Sequence, residues 1–175
     1  MKKIALFIAA IGLALGVNVM AQSAEHEAQA LLKGTDGRPV GTVWFSQMDE
    51  GVKITAEIID LAPGVHAFHI HGTGTCEAPS FKSAGGHYNP GDKQHGFLNS
   101  RGPHAGDMPN IVVGDTETYE WVTSLVSLYE GADNTLFPES GTAIVIHEKP
   151  DDYITDPAGR GGPRIACGVI EKISR

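Results

Sequence analysis

Short β-rich runs separated by turn signals fill the chain from Val40 to Lys172, and helical periodicity is weak throughout. Val40 to Ser46 (VGTVWFS) follows a Thr35-Asp36-Gly37 turn, and Val52 to Ile59 (VKITAEII) follows Asp49-Glu50-Gly51. Val65 to His71 follows Pro63-Gly64, and Asn110 to Val113 and Glu117 to Leu125 flank Gly114-Asp115. Ala143 to Glu148 and Arg164 to Lys172 close the series. Regularly spaced short strands with such turns predict an all-β, antiparallel sandwich or barrel. Ala24 to Leu32 reads as a short helix or a first strand, and periodicity does not separate the two. The 22 glycines, where a chain of this length averages about 12, and the 10 prolines fit a turn-rich fold.

The start of the chain follows a different logic. Lys2 and Lys3 precede an apolar run from Ile4 to Val17, and Val19 and Ala21 occupy the small-residue positions of a cleavage site. This is the pattern of a secretory leader, and the run is short of the ~20 residues a spanning helix needs. The expected division is a signal peptide over 1–21 and a single domain over 22–175, periplasmic or secreted after cleavage near Ala21. Without Lys2 and Lys3 the chain has 11 Lys and Arg against 21 acids, a formal charge of −10. Such a charge argues against nucleic acid and anionic membrane as partners. Cys76 and Cys167 are the two cysteines. An exported chain with two cysteines most simply makes one disulfide.

Two long stretches, 72–109 and 149–163, lack a strand pattern and are rich in Gly, Pro, His and Asp. Long loops in a compact domain are commonly functional. Six of the eight histidines fall between His66 and His104. In the run Gly64-Val65-His66-Ala67-Phe68-His69-Ile70-His71, alternate residues share a face. His69 and His71 therefore point together, with Phe68 and Ile70 turned to the core. A metal held by the pair would lie on the outer face of the sheet, under a loop. His66 falls on the Phe68 side and is expected to be a buried histidine bonded to backbone. His87, His95, His104 and Asp107, spaced by 8, 9 and 3 residues, make a plausible tetrahedral zinc set. His147 ends an apolar strand and is followed by Glu148-Lys149-Pro150-Asp151-Asp152. Imidazole-rich sites with open geometry suit copper as well as zinc.

The stretches GVHAFHIH (64–71), GGHYNP (85–90), His104-Ala105-Gly106-Asp107-Met108, IHEKPDD (146–152) and RIACGVI (164–170) together resemble the copper/zinc superoxide dismutases of the bacterial exported type. The resemblance covers nearly the whole chain after the leader. It implies an eight-stranded antiparallel Greek-key β-barrel with two long functional loops, and the reaction 2 O2•− + 2 H+ → O2 + H2O2. Copper and zinc are the implied cofactors. The implied copper ligands are His69, His71, His87 and His147, and the implied zinc ligands are His87, His95, His104 and Asp107, with His87 shared. Asp151 matches the carboxylate that links a copper-site histidine to a zinc-site histidine. Cys76 and Cys167 match the family's disulfide, Arg164 matches the arginine beside the copper channel, and His87 is the implied proton carrier. A homodimer is implied too.

The sequence departs from the eukaryotic pattern in two loops. The stretch Glu77 to Gly86 is longer, as in bacterial members. Residues 150–163 are shorter and lack the acidic pair and Lys-Thr that steer substrate in eukaryotic relatives. Steering is expected from Arg160 with Lys82 or Lys93. His26 has no match in the family and is expected to be a solvated terminal residue. The alternative function is a non-catalytic copper/zinc-binding protein on the same fold; retention of both ligand sets and Arg164 weighs against it. A zinc hydrolase would need an open zinc position, which four protein ligands do not leave.

Overall fold

A computed structural model describes residues 26–114 and 117–174. The leader expected over 1–21 lies outside the described residues, as does Asp115 of the expected Gly114-Asp115 turn. The strands are β1 (Ala28–Gly34), β2 (Pro39–Met48), β3 (Gly51–Ile58), β4 (Gly64–His66), β5 (Phe68–His71), β6 (Ile111–Val113), β7 (Glu117–Thr123), β8 (Ala143–His147) and β9 (Arg164–Lys172). The one helical piece among the described residues is a 3-10 turn, Lys82–Ala84. Among these residues no helix is long and apolar enough to cross a membrane.

The open choice at the first element resolves to strand. Ala28, Ala30 and Leu32 are buried while Leu31 is 57% exposed, the period-2 alternation of a half-buried strand. β1 is held on both sides, by β2 and by β9, so residues near the two ends of the chain pair in the middle of one sheet. That sheet has the antiparallel order β5-β8-β9-β1-β2-β3-β7, and β4 pairs with β6 in a second, small sheet.

The run expected as one strand over 65–71 is split at Ala67. The Ala67 carbonyl accepts from His147 N–H at 2.9 Å, and Ala67 N–H donates to Lys149 carbonyl at 2.9 Å. At this point the chain leaves β6 and takes β8 as its partner. Counted as one bent strand, Gly64–His71 brings the total among the described residues to the eight expected. The strands curl so that their inward faces share one core, in which Phe45, Ile54, Phe68, Ile70, Ile144 and Ile146 are fully buried. Each such side chain contributes roughly 1.5–3 kcal/mol by leaving water.

Register decides which side chains meet on the outer face. His69 lies opposite Val145 and His71 opposite Ala143, while Cys167 lies opposite Val145 and Arg164 opposite His147. Outside the barrel, Ala143, Val145 and Cys167 pack with Phe81, Ala84 and Cys76 of the first long loop in a second apolar cluster. The Cys76–Cys167 disulfide ties the loop down there. The same loop is stitched along the free edge of β5. Ile70 N–H donates to Gly106 carbonyl at 2.9 Å, and Tyr88 N–H donates to Ile70 carbonyl at 2.8 Å. Gly106 permits this approach, because a Cβ there would stand 2.1 Å from the Ile70 carbonyl oxygen.

Candidate metal centre

Strand alternation puts His69 and His71 on the outer face of β5, as the sequence predicts, and the long loops cover them until they are 0% and 1% exposed. His147 arrives from the end of β8, and His87 from the first loop, where it bridges to His71. Their ligand atoms all lie within 4.8 Å of one another. His69 Nδ1, His71 Nε2, His87 Nε2 and His147 Nε2 are buried, and none has a hydrogen-bond partner. A buried polar atom without a partner costs about 1–3 kcal/mol. Four of them turned to one point make a socket for a cation that binds nitrogen.

The opposite ring nitrogens explain why these four face inward. His71 Nδ1–H donates to Gly85 carbonyl at 3.0 Å, and His147 Nδ1–H to Gly162 carbonyl at 3.1 Å. His69 Nε2–H donates to Asp151 Oδ2 at 2.8 Å. A carbonyl or carboxylate on one nitrogen fixes the proton there and leaves the other lone pair free for a metal. The fourth ring, His87, has Nδ1 2.9 Å from Asp107 Oδ1, so its two nitrogens serve two adjoining clusters.

In the second cluster His95 Nδ1 is 2.9 Å from Asp107 Oδ1, and His104 Nδ1 is 3.4 Å from both Asp107 Oδ1 and His87 Nδ1. A tighter grouping of His87, His95 and Asp107 takes in His69 rather than His104. His69 belongs to the first cluster, however, because its Nε2 is engaged by Asp151 and its unpartnered Nδ1 faces that side. The other oxygen of Asp107 accepts from the backbone N–H of Gly96 (2.8 Å) and His104 (2.9 Å), which aims Oδ1 at the imidazoles. Three nitrogens and one oxygen fit zinc; four imidazoles fit copper. Asp151 links the clusters, with Oδ2 on His69 Nε2 and Oδ1 on His95 Nε2 at 2.9 Å. Gly159, which sequence reasoning did not single out, lets the second loop pass over this bridge. A Cβ there would stand 1.8 Å from Asp151 Oδ1 and 2.6 Å from His95 Nε2.

Arg164 lines a cavity with His71, His87 and His147, walled by Pro157 and Ala158. Its Nη1 and Nη2 each donate at 2.6 Å, to Phe81 and Gly85 carbonyls. The arginine thus braces the disulfide loop and faces the cavity together. Gly85 carbonyl receives both Arg164 and His71, which couples the cation to a candidate ligand. His66 lies outside both clusters, its ring nitrogens 2.9 Å from the carbonyls of His147 and Ala62, the backbone-bonded histidine expected. His26 differs from expectation. It is half-buried, stacks on Trp44 at 5.6 Å and bonds Ser46 Oγ at 3.2 Å, because the indole face offers it more contact than water does. Arg160 is 78% exposed and lies 3.7 Å from Asp152.

Burial holds His69 down at about 3 and His147 at about 4, and pushes His71 well below its ordinary value. At His95 burial works against the charge, but hydrogen bonds to Asp107 and Asp151 outweigh it and raise the ring to about 9. Burial also opposes the charge on both aspartates, and their imidazole partners nonetheless hold them below the usual carboxylate range. In the unfolded chain each imidazole titrates near 6.5. Between pH 6.5 and about 4 the unfolded chain therefore binds more protons at His69, His71 and His147 than the fold does. Stability of the metal-free protein falls as pH drops through that window, by up to about 1.4 kcal/mol per pH unit per ring. His95 has the opposite sign: its contribution is complete below 6.5 and is lost as pH rises to about 9. A melting temperature of metal-free protein that declines on both sides of pH 6–7 is expected. A flat profile from pH 4 to 6.5 contradicts the buried neutral imidazoles.

Fold and geometry define an all-β protein with two adjoining constellations able to hold metal ions, sharing one histidine. The family model described as copper/zinc superoxide dismutase (SODC) matches residues 40–170. The chain belongs to the copper/zinc superoxide dismutase family, whose members use copper and zinc. It is 48% identical over 151 residues to superoxide dismutase [Cu-Zn] 2 of Aquifex aeolicus, covering 85% of this chain and 88% of that one. It is 40% identical over 167 residues to superoxide dismutase [Cu-Zn] of Caulobacter vibrioides, covering 93% and 96%. A crystal structure of a double mutant of a SOD-like protein from Bacillus subtilis superposes with a TM-score of 0.75 at 41% identity, covering 81% of this chain and 95% of that one.

Proposed function

We propose that the protein dismutates superoxide to dioxygen and hydrogen peroxide, with copper held by His69, His71, His87 and His147 and zinc held by His87, His95, His104 and Asp107. The observation that carries this reading is the convergence of four buried, unpartnered imidazole nitrogens beside Arg164. Copper supplies one-electron exchange with superoxide, and zinc supplies a fixed charge. Asp151 keeps His69 and His95 oriented, and Asp107 holds the second cluster together. His87 stands at the cavity with Nε2 toward the first cluster; that nitrogen has one lone pair, so it would hold a proton, and release it to peroxide, only while it is not a metal ligand. Pro157 and Ala158 narrow the approach. Residues 22–175 act as a single unit, exported after loss of 1–21, and mass analysis of the exported chain reads the cleavage point. Light scattering reads the homodimer that the family resemblance implies.

The deciding experiment is metal analysis of the purified exported protein beside a superoxide-consumption assay. One copper and one zinc per chain with activity are expected. Zinc alone after copper loading overturns the two-metal reading, and both metals without turnover favour a metal-binding protein instead.

Arg164 is the anion guide. The protein is strongly acidic, so a small anion needs a local positive field at the cavity, focused by low-dielectric walls. Bonds to Phe81 and Gly85 carbonyls use two of the guanidinium's five N–H groups and leave the rest for substrate. Arg164→Glu is expected to lower activity roughly ten- to hundred-fold, within the range charge steering supplies, with metal content unchanged. Arg164→Lys keeps the charge but not the fork and loses part of the rate. Rising ionic strength slows the wild type. Full activity of a metal-replete Arg164→Glu at low salt would transfer the role to Arg160 or a loop lysine.

A further inference from the structure

We infer that Asp156 is a positioning residue for zinc, acting through His104 and His95; the inference rests on the ligand assignment proposed above. The outer nitrogens of the other ligands are all engaged. Those of His71 and His147 meet carbonyls, and those of His69 and His95 meet Asp151. His104 turns Nδ1 toward His87 and Asp107, and its outer Nε2 faces Asp156 Oδ1 at 3.9 Å. The same Oδ1 accepts from the backbone N–H of His95 at 2.7 Å. One carboxylate oxygen thus pins the backbone of one zinc-side histidine and stands off the outer nitrogen of another.

The physical consequence follows from charge. When Nδ1 of an imidazole binds a dication, its Nε2–H becomes a stronger donor, and a carboxylate opposite it fixes the ring and raises its basicity. Closure by about 1 Å brings Asp156 into a direct charge-assisted bond with His104. His104 is the most exposed of the zinc-side rings, with 7% of its side chain open, and it lines the cavity. It is the ring at which zinc has most to gain from an outer partner. Asp156 also belongs to the second long loop, so it latches residues 149–163 onto the zinc side of 72–109.

A brace of the loop and a partner of His104 are separable by substitution. Asp156→Asn keeps an oxygen for His95 N–H but removes the charge opposite His104, whereas Asp156→Ala removes both. The metal-loaded full chain is challenged with a chromogenic zinc chelator, and the zinc site is filled with Co(II) for its visible spectrum. Asp156→Asn is expected to release zinc about ten-fold faster, the lower end of the loss for such partners, and to shift the Co(II) bands. Copper content and the melting temperature of the metal-free protein should match wild type. Wild-type zinc release and an unchanged Co(II) spectrum in Asp156→Asn make the residue a brace and overturn the inference. So does a lowered metal-free melting temperature that accounts for the faster release. A wild-type protein that holds no zinc overturns the ligand assignment itself, and this inference with it.

Discussion

His147→Ala is expected to lose copper and reduce superoxide consumption to background while keeping most of its zinc. Its Nε2 is one of four inward nitrogens, and its Nδ1–H bond to Gly162 carbonyl holds the ring in place. His147 is 4% exposed, so water does not replace its ring easily. The second cluster, to which zinc is proposed to bind, brings together His87, His95, His104 and Asp107, none of which uses His147 as a support. The backbone bond from His147 N–H to Ala67 carbonyl survives the substitution, so the junction of β5 and β8 should hold. Asp107→Ala has the reverse order: zinc goes first and the loop loosens, because Oδ2 no longer binds Gly96 and His104 N–H groups. Metal content and activity measured on both variants check the pair. Retention of copper and turnover in His147→Ala would remove it from the ligand set.

Loss of the Cys76–Cys167 disulfide is expected to cost about 4 to 5 kcal/mol in the chain-entropy model, given the 91-residue separation. Typical domains have about 5–15 kcal/mol in all. The bond closes the outer cluster of Phe81, Ala84, Ala143 and Val145, and Phe81 and Gly85 carbonyls of the same loop anchor Arg164. A Cys76→Ser/Cys167→Ser protein should therefore unfold at much lower denaturant and turn over more slowly even when loaded with both metals. Thiol titration of unfolded, unreduced wild type should find none. An unfolding midpoint equal to wild type in the double variant contradicts the expected loss.

Strands are legible in the residue order because each buries one face and exposes the other, which makes apolar and polar residues alternate. β3 shows it directly, with Val52, Ile54, Ala56 and Ile58 buried and Glu57 exposed. The bend at Ala67 was not legible, since neither its bond to His147 nor its bond to Lys149 has a local signature. Nor was the packing of His26 on Trp44, a contact across strands. Gly159 carried a faint signal: it lies between Ala158 and Arg160 in a loop rich in glycine, and its φ of +58° favours that residue. Nothing nearby said that Asp151 and His95 lie under it. Asp156 was hidden for the same reason, because its partners His95 and His104 are more than fifty positions away.

By itself the sequence determined the donor types and the faces: imidazoles and carboxylates in two loops, and His69 with His71 on one side of a strand while Phe68 and Ile70 take the other. Period-2 geometry makes that a local property. That His147 meets His69, that His87 serves two clusters and that Arg164 faces their cavity is implied by the family resemblance, but residue order alone does not show it, and tertiary structure is what brings it about. Each depends on the β5–β8–β9 register and on a loop pinned by a disulfide. It also decided the direction of every ring, because the groups that hold the outer nitrogens include backbone carbonyls of Gly85 and Gly162. Every residue carries such a carbonyl, so residue identity does not mark the ones that orient a ligand; only the path of the folded chain does.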